Sequence, residues 1–135
     1  MYTKKIQIEA RVLGDLTMNH IIPMATKYQS SLIDNVYKMR ELFPADKAAH
    51  LSSKNMEIIE DIANRTIFIK EKVDEMVNAR KIANKIESER EKAIAYHDQI
   101  VPMMEAIRYH IDKLELVVDD QIWTLPKYRE LLFIR

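Results

Sequence analysis

Apolar residues recur every three or four positions between Ser88 and Asp120. The stripe consists of Ala93, Tyr96, Ile100, Met103, Ile107, Ile111, Leu114 and Val118. This spacing places all of these side chains on one face of an α-helix. A helix of about 30 residues is about 45 Å long, and its apolar face has to be covered along that whole length. The stripe therefore restricts the chain to folds in which long helices pack side by side.

Gly14 is the only glycine in the sequence, and this excludes several classes of site and fold. Phosphate-binding loops need several glycines so that the backbone can approach the ligand, and tight β-hairpins need them for positive φ. The absence of cysteine excludes disulfides, a thiolate nucleophile and cysteine-type zinc sites, and it predicts a cytoplasmic location. We therefore expect a helical protein without a nucleotide loop of its own.

The charge balance and hydropathy exclude two classes of partner. Lysine plus arginine and aspartate plus glutamate number 21 each, so the formal net charge is zero. This predicts no binding to nucleic acid or to an anionic membrane surface. No stretch approaches the roughly 18 uncharged apolar residues of a membrane helix, and no signal-peptide core follows Met1.

Local signals predict where the helices begin and end. Pro23 removes a backbone hydrogen bond and predicts a kink, whereas Pro44 ends the first helix at Phe43. Ser88 and Glu91 form a capping box, which predicts the start of the third helix. The predicted helices span about 4–42 (kinked near Pro23), 47–84, 88–120 and 127–132.

Short connections between these helices favour antiparallel neighbours. The prediction is an all-α fold in which residues 1–135 form a single helical domain. Its architecture would be an elongated antiparallel three-helix bundle with coiled-coil-like seams and a short C-terminal helix or tail. Five methionines lie on the seams and are interpreted as core: Met24, Met39, Met76, Met103 and Met104.

The histidines and carboxylates form no recognisable catalytic or metal-binding motif. Neither Glu-x-x-His nor His-Glu-x-x-His occurs, so no catalytic, cofactor-binding or metal residue is predicted. His20 lies on the first seam beside Pro23, where a structural hydrogen bond is expected. For His97 and His110 we expect hydrogen bonds between helices. The pair Asp119 and Asp120 is too small for a hard cation, which takes six or more oxygens.

The C-terminal tail is unusually apolar and aromatic for a chain end. A contiguous apolar surface of this kind is typical of a protein interface, although the tail could instead fold back over the bundle. The predicted interface residues are Trp123, Leu125, Tyr128, Leu131, Leu132 and Phe133.

Several segments, in order along almost the whole chain, resemble the carboxy-terminal region of type III glutamine synthetases. They are residues 8–16 (IEARVLGDL), 19–23 (NHIIP), 27–29 (KYQ), 72–77 (KVDEMV), 90–96 (REKAIAY), 108–115 (RYHIDKLE) and 118–133 (VDDQIWTLPKYRELLF). The resemblance implies a parent enzyme that joins glutamate and ammonia with ATP and a divalent metal, in large double-ring oligomers. It also implies that the nucleotide site, the metal ligands and the catalytic carboxylates lie in preceding domains, so none is carried over to this chain.

Two functions remain open at this point. The first is a non-catalytic accessory or assembly domain, expected to be a fragment of a longer ligase. Its partners would be the catalytic body and neighbouring subunits, with homo-oligomer formation left open. The second is a free-standing helical-bundle adaptor that binds a protein partner through its methionine-rich seam or its tail. Both predict that the chain alone forms no glutamine and binds no cofactor.

Overall fold

The computed structural model of the chain describes residues 2–118, and it is helical nearly throughout that range. No strand occurs between these residues, so the predicted all-α bundle class is confirmed. The elements are α1 (Tyr2–Leu16), a π-helical turn (Thr17–Ile21), α2 (Ile22–Leu42), α3 (Ala45–Asn84), α4 (Glu89–Ala95), a second π-helical turn (Tyr96–Ile100) and α5 (Val101–Val117). The last predicted helix, 127–132, lies outside the described residues.

The described helices divide into two compact units. The first contains residues 2–21 and 67–111, and the second contains residues 22–66 and 112–118. The long helix α3 contributes its N-terminal half to the second unit and its C-terminal half to the first. Each unit has its own set of buried apolar side chains.

In the first unit, the C-terminal half of α3 runs antiparallel to the segment from α4 to α5. The Tyr96 hydroxyl donates to Asn84 Oδ1 at 2.5 Å, and the rings of Phe68 and His110 lie 4.2 Å apart. The contact nearer the end of α3 is made by a residue early in the second segment, and the contact earlier in α3 is made by a later residue. The two segments therefore run in opposite directions. The buried core of this unit consists of Ala10, Leu13, Ile21, Ile69, Val73, Met76, Ala79, Ala83, Tyr96, Ile100, Met104, Ile107 and Ile111.

In the second unit, α2 runs antiparallel to the N-terminal half of α3. Gln29 Nε2 donates to the Ile59 carbonyl at 2.9 Å, and Asn55 Nδ2 donates to Asn35 Oδ1 at 3.0 Å. The buried side chains of this unit are Ile22, Met24, Ala25, Val36, Ala48, Ile62, Leu114 and Val118, together with the polar Ser52 and Glu115.

Within residues 2–118, the two prolines that lie inside helices each follow a π-helical turn by two residues. Pro23 follows the turn Thr17–Ile21, and Pro102 follows the turn Tyr96–Ile100. Proline has no N–H to donate, and its ring clashes with the carbonyl four residues earlier. A π turn relieves both problems, because its carbonyls bond one residue farther along the chain. The predicted disturbance near Pro23 thus takes this form, and Pro102 produces a second one inside the segment predicted as the uninterrupted helix 88–120.

The first π turn also changes which side chains reach the core. Thr17 and Ile21 are buried, and the Thr17 hydroxyl donates to the Leu13 carbonyl at 2.6 Å. The extra residue in the turn rotates His20 to the solvent-exposed side. The prediction that His20 lies on the seam is therefore wrong, because a regular 3.6-residue period does not hold across this turn.

The sequence around Ser88 was sufficient to predict where α4 begins. Ser88 is the N-cap residue, and its hydroxyl accepts a hydrogen bond from the Glu91 backbone N–H at 3.3 Å. This bond satisfies one of the free N–H groups of the first turn. The predicted N-cap at Ser88 is confirmed.

Candidate docking groove

The predicted interface residues of the tail lie outside the described residues. These are Trp123, Leu125, Tyr128, Leu131, Leu132 and Phe133, and their role stays a prediction. The acidic pair Asp119 and Asp120 lies outside that range as well.

The histidines are spread over the described helices and form no common site. His20, His50 and His97 are exposed, and His97 Nδ1 lies 3.0 Å from Asp98 Oδ1 of the adjacent residue. The expected hydrogen bond from His97 to another helix is therefore wrong. His110 is half-buried, and its ring packs against Phe68 of α3. Within residues 2–118, no three histidine, aspartate or glutamate side chains are close enough to hold a metal ion.

The second unit contains an open groove of about 470 Å³ beside the turn that joins α2 and α3. Val36 and Arg40, one helical turn apart, line it from α2. The remaining lining residues come from the first turns of α3: Ala45, Ala48, Ala49, Ser52 and Met56.

The turn between α2 and α3 places these side chains opposite one another. The Phe43 N–H donates to the Met39 carbonyl at 3.0 Å, and the Pro44 carbonyl accepts from the Ala48 N–H at 2.9 Å. Since Pro44 cannot continue α2, α3 begins immediately after it. The Lys47 ammonium lies 5.2 Å from the centroid of the Phe43 ring, a cation–π contact between the two ends of the turn.

Small side chains at helical spacing leave the groove unfilled. The small residues at the start of α3 lie on one face of the helix, because most of them are three or four positions apart: Ala45, Ala48, Ala49 and Ser52. A larger residue at any of these positions would extend into the space. The floor of the groove is buried, whereas its rim is exposed to solvent. Buried floor residues are Val36, Ala48 and Ser52, and exposed rim residues are Arg40, Ala45, Ala49 and Met56.

Ser52 in the floor of the groove has an unsatisfied hydroxyl. Its side chain is 2% exposed, and Oγ meets no hydrogen-bond partner among the residues that the structure describes. By contrast, the hydroxyls of Ser31 and Ser53 donate to the carbonyls of Tyr28 and His50 at 2.6 and 2.9 Å. An unsatisfied buried hydroxyl costs about 1–3 kcal/mol. The groove thus contains a polar group that a bound molecule could satisfy.

Arg40 supplies the positive charge at the rim. It lies in the last turn of α2, where a cation interacts favourably with the helix dipole. Lys54 pairs with Glu57 and Arg65 pairs with Asp61 along α3, whereas none of the ion pairs described for residues 2–118 involves Arg40. The guanidinium is therefore available to a carboxylate from outside this unit.

The groove has the chemistry of a binding surface. Its lining offers one hydroxyl, one guanidinium and otherwise apolar groups, without a general base beside the serine. None of the described helices is long and apolar enough to cross a membrane.

Comparison with known proteins links the chain to one family. The family model described as glutamine synthetase C-terminal domain matches residues 1–40. A glutamine synthetase from Bacteroides fragilis (strain YCH46) is 49% identical over 134 residues, which make up 99% of this chain and 18% of the relative. A type-3 glutamine synthetase from Dictyostelium discoideum is 30% identical over 139 residues, covering 100% of this chain and 18% of the relative. The chain therefore spans less than a fifth of the length of these curated relatives, and the resemblance noted in its sequence is confirmed.

Proposed function

Because almost the whole chain aligns with part of a glutamine synthetase, we propose that it is a non-catalytic accessory or assembly domain of a type III enzyme. The observation that carries the proposal is the alignment of 99% of the chain with 18% of a glutamine synthetase. A segment of that size is a domain-sized portion of a much larger ligase. The ligase would join glutamate and ammonia with ATP and a divalent metal in the cytoplasm.

The chemistry of the chain supports placing catalysis in the remainder of the ligase. ATP is bound through backbone N–H groups of glycine-rich loops or through clusters of charged side chains, and Gly14 is the only glycine. Metal-dependent phosphoryl transfer needs carboxylates gathered around the ion. Instead, carboxylates such as Glu57, Glu75 and Glu89 pair with lysines, and Asp61 pairs with Arg65, one turn away on the same helix.

Exposed apolar side chains support a role in assembly. Ile8 and Val12 lie one turn apart on α1 and are 48% and 57% exposed, and Leu42 at the end of α2 is 74% exposed. The neighbouring pair Ile8 and Val12 is the kind of exposed apolar surface that a partner covers. In the proposed role, the catalytic body and neighbouring subunits of the ligase cover them.

The proposal is tested by exchanging domains in the Bacteroides fragilis enzyme. One variant lacks the aligned 134-residue segment, and a chimera carries this chain in its place. Oligomer mass is measured by analytical ultracentrifugation, and glutamine formation is measured in the same samples. We expect the deletion variant to lose assembly and activity together and the chimera to recover both.

Two results would refute the accessory role. The first is a deletion variant that assembles and forms glutamine normally. The second is glutamine formation by the 135-residue chain alone. A free-standing adaptor predicts that the chimera fails even though the chain is folded, so a folded but inactive and unassembled chimera would favour that alternative.

A further inference from the structure

We propose that the groove between α2 and α3 binds the apolar ridge of a helix from the ligase body, and that an acidic residue of this helix pairs with Arg40. The inference rests on the proposed accessory role and identifies the surface through which the domain docks.

The length and the small lining residues of the groove suit a row of side chains from a partner helix. Its lining on α3 runs from Ala45 to Met56, a distance of about 17 Å at the helical rise of 1.5 Å per residue. Along that length α3 lines the groove mainly with alanines, so side chains from a neighbouring helix can enter the space between α2 and α3. Helices pack by inserting such rows, formed by residues three or four apart, into the grooves of a neighbour.

The exposed rim favours a protein partner over an enclosed small molecule. Metabolite sites bury most of their ligand, whereas Arg40, Ala45, Ala49 and Met56 are all open to solvent along this groove. An occupant would keep one side outside the groove. A helix does this naturally, because it buries one ridge and leaves its opposite face exposed.

The Ser52 hydroxyl and the Arg40 guanidinium determine which polar groups the docked helix needs. The buried Ser52 hydroxyl can donate to an acceptor on the docked helix, such as a serine hydroxyl or an amide oxygen. The bond between Asn35 and Asn55 shows the antiparallel register, in which Arg40 lies toward the turn and Val36 farther from it. The acidic residue of the partner is therefore expected at the turn end of the groove.

The absence of cysteine from the chain permits a direct test by thiol labelling. Ala49→Cys introduces an exposed thiol on the rim of the groove. Ser31→Cys introduces an exposed thiol on the opposite side of α2 as a matched control. Each thiol is modified with a maleimide in the full 135-residue chain and in the chimeric Bacteroides fragilis enzyme, and modification of the peptide is followed by mass spectrometry.

We expect the chimera to slow labelling at Ala49→Cys at least about tenfold relative to the chain alone, with little change at Ser31→Cys. Adding Arg40→Glu should restore the labelling rate at Ala49→Cys to within about threefold of that in the chain alone, because the charge reversal repels the acidic partner. Circular dichroism verifies that each variant remains helical.

Three results would overturn the proposal. Equal labelling in the chain and the chimera would show that no partner occupies the groove. Slow labelling in the chain alone that depends on concentration would identify a second copy as the occupant. Slow labelling in the chain alone that does not depend on concentration would show that a segment of the same chain occupies the groove. Ultracentrifugation of the unsubstituted chimera reports separately on the accessory role, so the failure of one proposal is distinguishable from failure of the other.

Discussion

Replacing Gly14 by alanine should stabilise the first unit. Gly14 lies within α1, and its φ is not positive, so its backbone makes no demand that only glycine can meet. A Cβ at this position would lie 3.8 Å from Met76 Cε and 3.8 Å from Val73 Cγ1, which is ordinary van der Waals contact. The substitution therefore adds a methyl group to the interface between α1 and α3 without displacing its neighbours.

The expected gain in unfolding free energy has two parts. The helix propensity of alanine over glycine contributes about 1 kcal/mol. The new methyl group is only half-buried and contributes about 0.4 kcal/mol, half of the value for a buried methylene. A total of about 1.4 kcal/mol corresponds to a rise in Tm of about 5 °C for a chain of 135 residues.

Urea denaturation followed by far-UV circular dichroism measures this gain. Ser30→Ala, at an exposed helical position, is the control for propensity alone and should gain about 0.5 kcal/mol. Gly14→Leu should instead destabilise by about 1–3 kcal/mol, because its larger side chain overpacks the same contact. A loss of stability for Gly14→Ala would contradict the packing distance between α1 and α3.

Three further substitutions test individual contacts by the same denaturation assay. Tyr96→Phe removes the hydrogen bond to Asn84 and should lower the unfolding free energy by about 1 kcal/mol. In a double-mutant cycle with Asn84→Ala, the two losses should not add, whereas additive losses would show that the bond contributes nothing. Ser88→Ala removes the N-cap bond to the Glu91 N–H and should cost about 1 kcal/mol, so an unchanged midpoint would argue against the cap. Ser52→Ala should be neutral or stabilise the chain by up to about 1 kcal/mol, because it removes an unsatisfied hydroxyl, and a clear loss would mean that the hydroxyl has a partner.

The helical class could be predicted because it depends on local spacing. The apolar positions Ile100, Ile107 and Leu114 repeat at seven-residue intervals, and all three are fully buried. The cap at Ser88 could be predicted for the same reason, since its hydrogen bond spans only three residues. Signals of this kind do not depend on how the rest of the chain is arranged.

The two π turns could not be placed from periodicity. A regular period assigns His20 to the seam, whereas the extra residue in the turn buries Ile21 instead and exposes His20. Pro23 and Pro102 are the sequence signals, because each removes a backbone donor inside a helix. Whether the helix kinks, breaks or widens in response depends on the packing of the side chains around it, which no local pattern specifies.

The groove was not predicted because its main feature is space between two helices. The series of small residues Ala45, Ala48, Ala49 and Ser52 is visible in the sequence, but small residues at helical spacing are also compatible with helices that pack closely together. The space exists because α2 places Val36 and Arg40 opposite them, and that register is a tertiary property, visible for example in the bond between Asn35 and Asn55. The unsatisfied hydroxyl of Ser52 is likewise visible only in the folded chain.

The central claim, that this chain is an accessory domain of a glutamine synthetase, is tested most directly by adding the domain back as a separate protein. The 135-residue chain is titrated into the Bacteroides fragilis enzyme that lacks its aligned segment, and glutamine formation is measured at each ratio. The accessory role predicts that activity rises with added chain and saturates at one chain per enzyme subunit, with oligomer mass rising in parallel. Activity and mass that stay unchanged at every ratio, with both proteins folded, would contradict it.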